Sequence, residues 1–303
     1  MCVNGPTRRQ FLALAAGAAL TLRRAGAAQP PESKMLTRKI PRTGEELPVI
    51  GMGTYDTFDV GPEPAARAPL VEVTRAFVAA GARVIDSSPM YGRAEGVVGD
   101  VLGALGHPKT FITTKVWTRG KQEGIQQMTR SEKLLGGRID LMQIHNLVDW
   151  KTHLATLRDW KAAGRIRYIG VTHFGLSAFD ELEDIVAREK IDFIQIPYSL
   201  EMREAEKRLL PVAAANQTAV LVMRPFERGG LFSRFKGQPL PPWAADVDCT
   251  SWAQLFLKFI IGHPAVTAPI PATSKLEHMQ DDLRAGFGRL PGEELRRRIA
   301  ALV

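Results

Sequence analysis

Cysteine occurs only twice in the 303 residues, at Cys2 and Cys249. That is too few for a disulfide framework. Long hydrophobic runs are missing as well. The apolar stretch from Phe11 to Leu22 is twelve residues, and a membrane-spanning helix needs about 20. No Pro/Gly/Ser-rich linker divides the chain, so nothing marks a boundary between two large domains. No basic stripe interleaved with aromatics is present, which argues against nucleic acid as a partner. The dinucleotide fingerprint of an open α/β sheet also fails. Gly51-Met-Gly53 is followed by Thr-Tyr-Asp, and the third glycine never comes.

The beginning of the chain carries its own message. Thr7-Arg-Arg-Gln-Phe-Leu is followed by the apolar Phe11 to Leu22 and by small residues around Ala25-Gly-Ala-Ala-Gln. This three-part layout is that of a cleaved signal, and the arginine pair fits the twin-arginine export pattern. An N-terminal amphipathic helix is the alternative, but no polar face runs between Phe11 and Leu20. We therefore expect residues 1–28 to be removed, the twin-arginine translocase to be a partner during export, and the mature protein to be periplasmic without stable membrane insertion. Removing Arg8, Arg9, Arg23 and Arg24 lowers the net charge from +8 to +4. It also leaves Cys249 alone, so an intramolecular disulfide is excluded. Arg296-Arg-Arg near the C-terminus reads as a solvated helix face that complements the helix dipole.

What is present is an alternation of short apolar runs and amphipathic stretches over residues 35–303. Runs at 49–54, 83–86, 110–115, 141–145, 168–172, 193–197, 219–223 and 266–269 read as eight strands. Helices such as 71–80, 153–163 and 178–189 lie between them, the pattern a parallel sheet requires. Single α/β barrels commonly run about 250 residues. Ala79-Ala-Gly-Ala-Arg-Val-Ile and Ala162-Ala-Gly-Arg-Ile-Arg-Tyr-Ile each end a helix at glycine and enter a strand. Residues 38–50 read as a hairpin turning at Thr43-Gly44.

Polar residues gather at the ends of these runs. Asp86 closes Val84-Ile-Asp, Tyr91 follows five residues later, Lys115 closes Thr110-Phe-Ile-Thr-Thr-Lys and His145 closes Asp140-Leu-Met-Gln-Ile-His. Each alone reads as a surface cap or a structural residue. Together they suit the reduction of a carbonyl group. Hydride reaching the carbonyl carbon puts charge on its oxygen, which needs a proton and fixed donors. Tyrosine, with a pKa near ~10, is a poor acid unless its phenolate is stabilised. A lysine ammonium does so, and a carboxylate holds the lysine charged. The roles expected are Tyr91 as general acid, Lys115 as its activator, Asp86 as the lysine's partner and His145 as substrate orienter. No metal site is expected.

The motif Asp-x4-Tyr-Gly-x2-Glu, matched by Asp86, Tyr91, Gly92 and Glu95, resembles the aldo-keto reductases when taken with Lys115 and His145. So do Ala163-Gly-Arg-Ile-Arg-Tyr-Ile-Gly-Val-Thr and Ile270-Pro-Ala-Thr-Ser-Lys. The resemblance runs from about Arg38 to Leu302. It implies a (β/α)8 TIM barrel whose floor is closed by the N-terminal hairpin, NADP(H) as cofactor and a small-molecule carbonyl or alcohol substrate. It places Thr172 and His173 where a Ser-Asn pair usually holds the nicotinamide amide, with Gln195 as the other amide contact. Met223 stands for an aromatic that stacks on the nicotinamide. Thr273, Ser274 and Lys275 fall in the 2′-phosphate segment, at the start of a helix that favours anions; the same three residues also read as a simple helix cap. Asp282 replaces an asparagine at the adenine, where an ionised acid accepts but cannot donate. The loop 224–243 offers Arg224, Arg228, Arg234 and Lys236 to the pyrophosphate, with Gly229-Gly230 as a hinge.

Tyr55, Phe58, Trp117, Trp150, Phe174, Phe232 and Trp243 are expected around a partly apolar pocket. Two other functions remain open on the sequence. One is a non-catalytic NADP(H)-binding regulatory subunit with the same barrel. The other is an exported glycosidase using Asp149 and Glu227 as facing carboxylates.

Overall fold

The computed structural model describes Met1 and residues 34–303. Arg8, Arg9 and the rest of the expected signal beyond Met1 lie outside the described residues. A hairpin comes first, with β1 (Thr37–Lys39) antiparallel to β2 (Glu46–Pro48). Its turn closes through Gly44 N–H on the Ile40 carbonyl at 2.8 Å. Eight parallel strands follow in sequential order: β3 (Met52–Gly53), β4 (Val84–Asp86), β5 (Phe111–Val116), β6 (Leu141–His145), β7 (Tyr168–Thr172), β8 (Phe193–Pro197), β9 (Ala219–Met223) and β10 (Ala268–Pro269).

Helices alternate with them. The principal ones are α1 (Pro64–Ala79), α2 (Ala94–Ala104), α3 (Lys121–Leu134), α4 (Trp150–Ala162), α5 (Phe179–Glu189) and α6 (Leu209–Ala215), then α7 (Gly230–Arg234), α8 (Trp252–Ile261), α9 (Leu276–Arg284) and α10 (Glu293–Ala300). The fold is the (β/α)8 barrel expected. The two echoing segments end α1 and α4 alike, with Gly81 at φ 86° and Gly164 at φ 71° just beyond the caps. That left-handed backbone is the reason both stops carry glycine.

The first and last strands are shorter than their apolar runs, because they form the closing seam. Pro269 and Pro271 have no N–H to give, so glycine donors and a parallel bridge between Gly53 and Ala272 carry the seam. Gly51 N–H reaches Pro269 O and Gly53 N–H reaches Pro271 O, each at 2.9 Å. The approach is close: a Cβ on Gly53 would sit 2.8 Å from the Ile270 carbonyl oxygen. Gly51-Met-Gly53 is thus explained by barrel closure rather than by phosphate.

Ile40 and Leu47 of the hairpin pack with Val84, Phe111, Leu141, Tyr168 and Phe193, which lie at or near the N-terminal ends of their strands. The hairpin therefore plugs the floor. Polar contacts fasten its rim: Arg42 Nη2 donates to Asn216 O at 2.9 Å, and Tyr168 Oη donates to Glu45 at 2.5 Å. Arg38 spans to the end of α8, donating to the carbonyls of Ile261, His263 and Pro264. Of the expected solvated face, Arg297 and Arg298 are exposed and Arg296 is the exception. Its side chain is 14% exposed and donates to Tyr198 Oη and Glu206, each at 2.6 Å, and to Phe259 O at 3.1 Å. Arg298 lies over Trp243. Cys249 is buried and free, and burial pushes its thiol up to about 11.

Candidate active site

Parallel strands all deliver their C-terminal ends to one rim, and the four polar run-ends meet there. Lys115 Nζ lies 2.7 Å from Asp86 Oδ2 and 2.7 Å from the Ser87 carbonyl. Both side chains are almost wholly shielded, at 1% and 2% exposure, so this ion pair is little screened by solvent. Lys115 Nζ also sits 5.1 Å from the centre of the Tyr91 ring. The His145 ring meets Tyr91 edge-on at 5.9 Å, and Tyr55 meets it from another direction at 5.0 Å.

The electrostatics follow from burial. Burial raises Tyr91 above the ordinary phenol range; the Lys115 charge works against that shift and Asp86 reinforces it. Burial alone would depress Lys115, but Asp86 and Tyr91 more than compensate, and its pKa is raised. His145 is pushed down to about 2, by burial first and then by the charges of Lys115 and His173. The site at neutral pH therefore holds a protonated phenol, a charged ammonium and a neutral imidazole.

Asp86 has more partners than the sequence suggests. Oδ1 accepts from Thr113 Oγ1 at 2.7 Å and Gln143 Nε2 at 3.3 Å, while Oδ2 accepts from Gln195 Nε2 at 3.1 Å. Gln143 Nε2 also reaches Gln195 Oε1 at 2.9 Å. Thr113 and Gln143 were not singled out, yet alternation could have found them. They lie two residues before Lys115 and His145, on the same strand faces. Gln195, expected to hold an amide, is committed to this network as well. Glu95 is buried between β5 and α3, accepting from Thr114 and Ser131 at 2.5 and 2.9 Å, and burial raises its pKa.

A cavity of about 1340 Å³ opens over this floor. Of the expected site residues, Asp86, Tyr91, His145, Gln195, Met223, Arg224, Thr273 and Asp282 line it. Lys115 lies beneath, reached through Asp86 and Tyr91. Thr172, His173, Ser274 and Lys275 are outside the lining. Thr172 is buried, and its hydroxyl has no partner among the described residues. His173 stacks on Phe174 and accepts from Gly175 N–H at 2.9 Å. Ser274 and Lys275 are exposed before α9. Asp282 is almost fully buried, and burial followed by the neighbouring Asp281 raises its carboxyl well above the usual range. A neutral acid can donate, which corrects the acceptor-only expectation.

Of the four cations on the 224–243 loop, Arg224 and Arg228 line the cavity. Arg234 pairs instead with Glu201 at 2.9 Å, and Lys236 is exposed. Among the aromatics, Tyr55, Phe174 and Phe232 line the cavity, and Trp117 stands 6.5 Å from His145. Phe58 is core, Trp150 is tied to Glu181 and Trp243 lies under Arg298. Asp149 and Glu227 do not face each other across the cavity. Asp149 accepts from Gly120 N–H and Thr152, and Glu227 borders a separate shallow depression. That removes the glycosidase reading.

A barrel with this buried ion pair under a tyrosine defines a class of protein, the carbonyl oxidoreductases built on (β/α)8 barrels. Sequence comparison narrows it. The profile of the aldo/keto reductase family matches residues 49–301, and the chain belongs to that family. It is 29% identical over 244 residues to methylglyoxal reductase YeaE of Escherichia coli (strain K12), covering 78% of this chain and 84% of that one. An NADH-specific methylglyoxal reductase of the same strain is 26% identical over 229 residues, 63% of this chain and 68% of that one. Among solved structures, an aldo/keto reductase from Klebsiella pneumoniae in complex with NADP and acetate superposes with a TM-score of 0.74 at 26% identity, covering 89% of this chain and 95% of that one.

Proposed function

We propose that this chain is an exported, NADP(H)-dependent carbonyl reductase that acts on an aldehyde, ketone or sugar, or runs the reverse alcohol oxidation. The observation that carries the reading is the shielded Asp86–Lys115 pair at 2.7 Å, directly under Tyr91 at the cavity floor. The protein's groups fit the dinucleotide. The cavity exceeds the ~300–1,000 Å³ of common small-molecule pockets, and Gln195, Met223, Arg224, Thr273 and Asp282 line it together. Thr172, His173 and Gln195 would hold the nicotinamide amide, and Met223 would pack on its ring. Arg224 and Arg228 would meet the pyrophosphate, Thr273, Ser274 and Lys275 the 2′-phosphate, and Asp282 the adenine.

When bound, NADPH supplies hydride to the carbonyl carbon. The chain's own groups manage the charge that this leaves on oxygen. Tyr91, held protonated, gives its phenolic proton to that oxygen. Lys115 stabilises the resulting phenolate, and Asp86 holds Lys115 in place through a network that leaves its carboxylate no freedom to turn away. His145, neutral, donates to the oxygen without adding a competing charge. In the oxidative direction the same proton returns to Tyr91.

Export rests on Thr7-Arg-Arg-Gln-Phe-Leu and the apolar segment after it. An exported enzyme draws on a cofactor made in the cytoplasm, so the barrel folds and loads NADP(H) before crossing and releases it slowly. Nucleotide recovered from denatured periplasmic protein, near one per chain, checks this; substoichiometric nucleotide would count against it. The activity is tested by NADPH consumption on a carbonyl panel. Methylglyoxal heads it, in view of the Escherichia coli relatives. Tyr91→Phe should keep NADPH binding while turnover falls by ~10²–10⁴. Wild-type turnover in that variant would refute the assignment.

A further inference from the structure

Ser88 is fully buried and, beyond the motif, has no role in the roles set out above. Its Oγ lies 2.9 Å from His145 Nδ1 and accepts from Met90 N–H at 3.3 Å. That hydroxyl makes no other hydrogen bond among the described residues. His145 lines the cavity, and its Nε2 has no partner among the described residues.

Hydrogen-bond counting then decides the tautomer. The imidazole is neutral, since burial and Lys115 depress its pKa, so one ring nitrogen carries a proton and the other does not. Suppose Nδ1 carries it. Ser88 would then accept from both Met90 and His145, and its own proton would be buried without an acceptor. Nε2 would face the cavity bare, able only to accept, and would repel a carbonyl oxygen. Suppose instead that Ser88 donates to Nδ1. Every buried group is then paired, and the proton sits on Nε2, aimed at the cavity. The unpaired alternative carries the desolvation cost of a buried hydroxyl.

We propose that Ser88 is a positioning residue that holds His145 as the Nε2–H tautomer, so that the imidazole enters the reaction as a hydrogen-bond donor to the substrate oxygen. The proposal rests on the carbonyl-reductase reading for its purpose, but not for its first test. Ser88 acts through the ring and never touches substrate. Its contribution grows as charge builds on the oxygen, so it belongs to the transition state more than to the bound ground state.

The direct test is ¹⁵N NMR of the ring in uniformly labelled full-length mature protein, without substrate. A pyridine-type Nδ1 coupled to a pyrrole-type Nε2 at His145 is expected. A pyrrole-type Nδ1 would overturn the proposal, whatever the variants do. In Ser88→Ala the ring should become a mixture of tautomers, and kcat should fall about 10-fold with KM little changed. The decisive kinetic control is a double-mutant cycle with His145→Ala. Ser88→Ala should cost nothing further once His145 is gone, whereas a merely structural serine would cost the same in both backgrounds. A full additive loss would sink the assignment. If Ser88→Ala does not fold, the wild-type spectrum alone decides. If the spectrum is as expected but no carbonyl is turned over, the functional reading fails and the Ser88–His145 assignment stands.

Discussion

At Tyr91 two forces oppose each other, and burial wins. The phenol stays protonated through neutral pH, the form needed to give a proton to a reduced carbonyl. The reverse oxidation needs the phenolate, which only Lys115 favours. Lys115→Met should therefore raise the phenol further and suppress carbonyl reduction and alcohol oxidation alike, because both pass through the same stabilised phenolate, seen as a displaced pH–rate profile. Asp282 offers a second residue-scale test. Its folded pKa is raised by burial and Asp281, so the native state keeps a proton that the unfolded chain loses above the usual carboxylate range near ~4. Stability contributed by this proton is complete below that range and is lost as pH rises toward the folded pKa. Asp282→Asn should consequently raise the melting temperature near neutral pH, with the gain shrinking as pH is lowered toward about 4. A gain of equal size at both pH values would contradict the buried neutral acid.

Elements divide the barrel into a chemical end and a structural end. The hairpin β1–β2 belongs to the second. Leu47 is fully buried among the floor side chains, and Leu47→Ala should cost about 2–5 kcal/mol. Because Leu47 lies at the opposite end from Tyr91, KM and kcat at a temperature below melting should hold near wild type. The segment before α9 belongs to the chemical end. Lys275 is exposed and carries no side-chain partner among the described residues, so it is free to meet a phosphate. Lys275→Glu should weaken NADPH far more than NADH, measured by fluorescence titration. Equal loss for both nucleotides would remove Lys275 from the 2′-phosphate site.

For the whole molecule, the barrel and the segment before it answer to different physics. A twin-arginine route carries a folded protein, which suits a barrel held by packing with one buried thiol and no disulfide. Replacing Arg8 and Arg9 together with lysine should strand the precursor in the cytoplasm while the barrel keeps its activity there, as fractionation and assay would show. Export of that variant at the normal rate would rule the route out.

Six strands, residues 83–86, 110–115, 141–145, 168–172, 193–197 and 219–223, were legible to within a residue, because each is an apolar-rich run between amphipathic stretches. The four catalytic candidates were legible for the same reason, since each is the polar residue that ends such a run or follows it. The short extent of the seam strands was not. Their length depends on which carbonyls Pro269 and Pro271 present to Gly51 and Gly53, a relation between chain ends more than 200 residues apart. Nor were the partners of Thr113, Gln143 and Ser88, which come from other strands and loops. Arg296 looked like a solvated charge and became a half-buried anchor, because only the packed neighbours supply Tyr198 and Glu206. Local order along the chain carries the period of burial and the chemistry of each run-end. Which polar atoms then face one another, and which carboxyl keeps its proton, is decided by desolvation and contact across the barrel, and those exist only once it has closed.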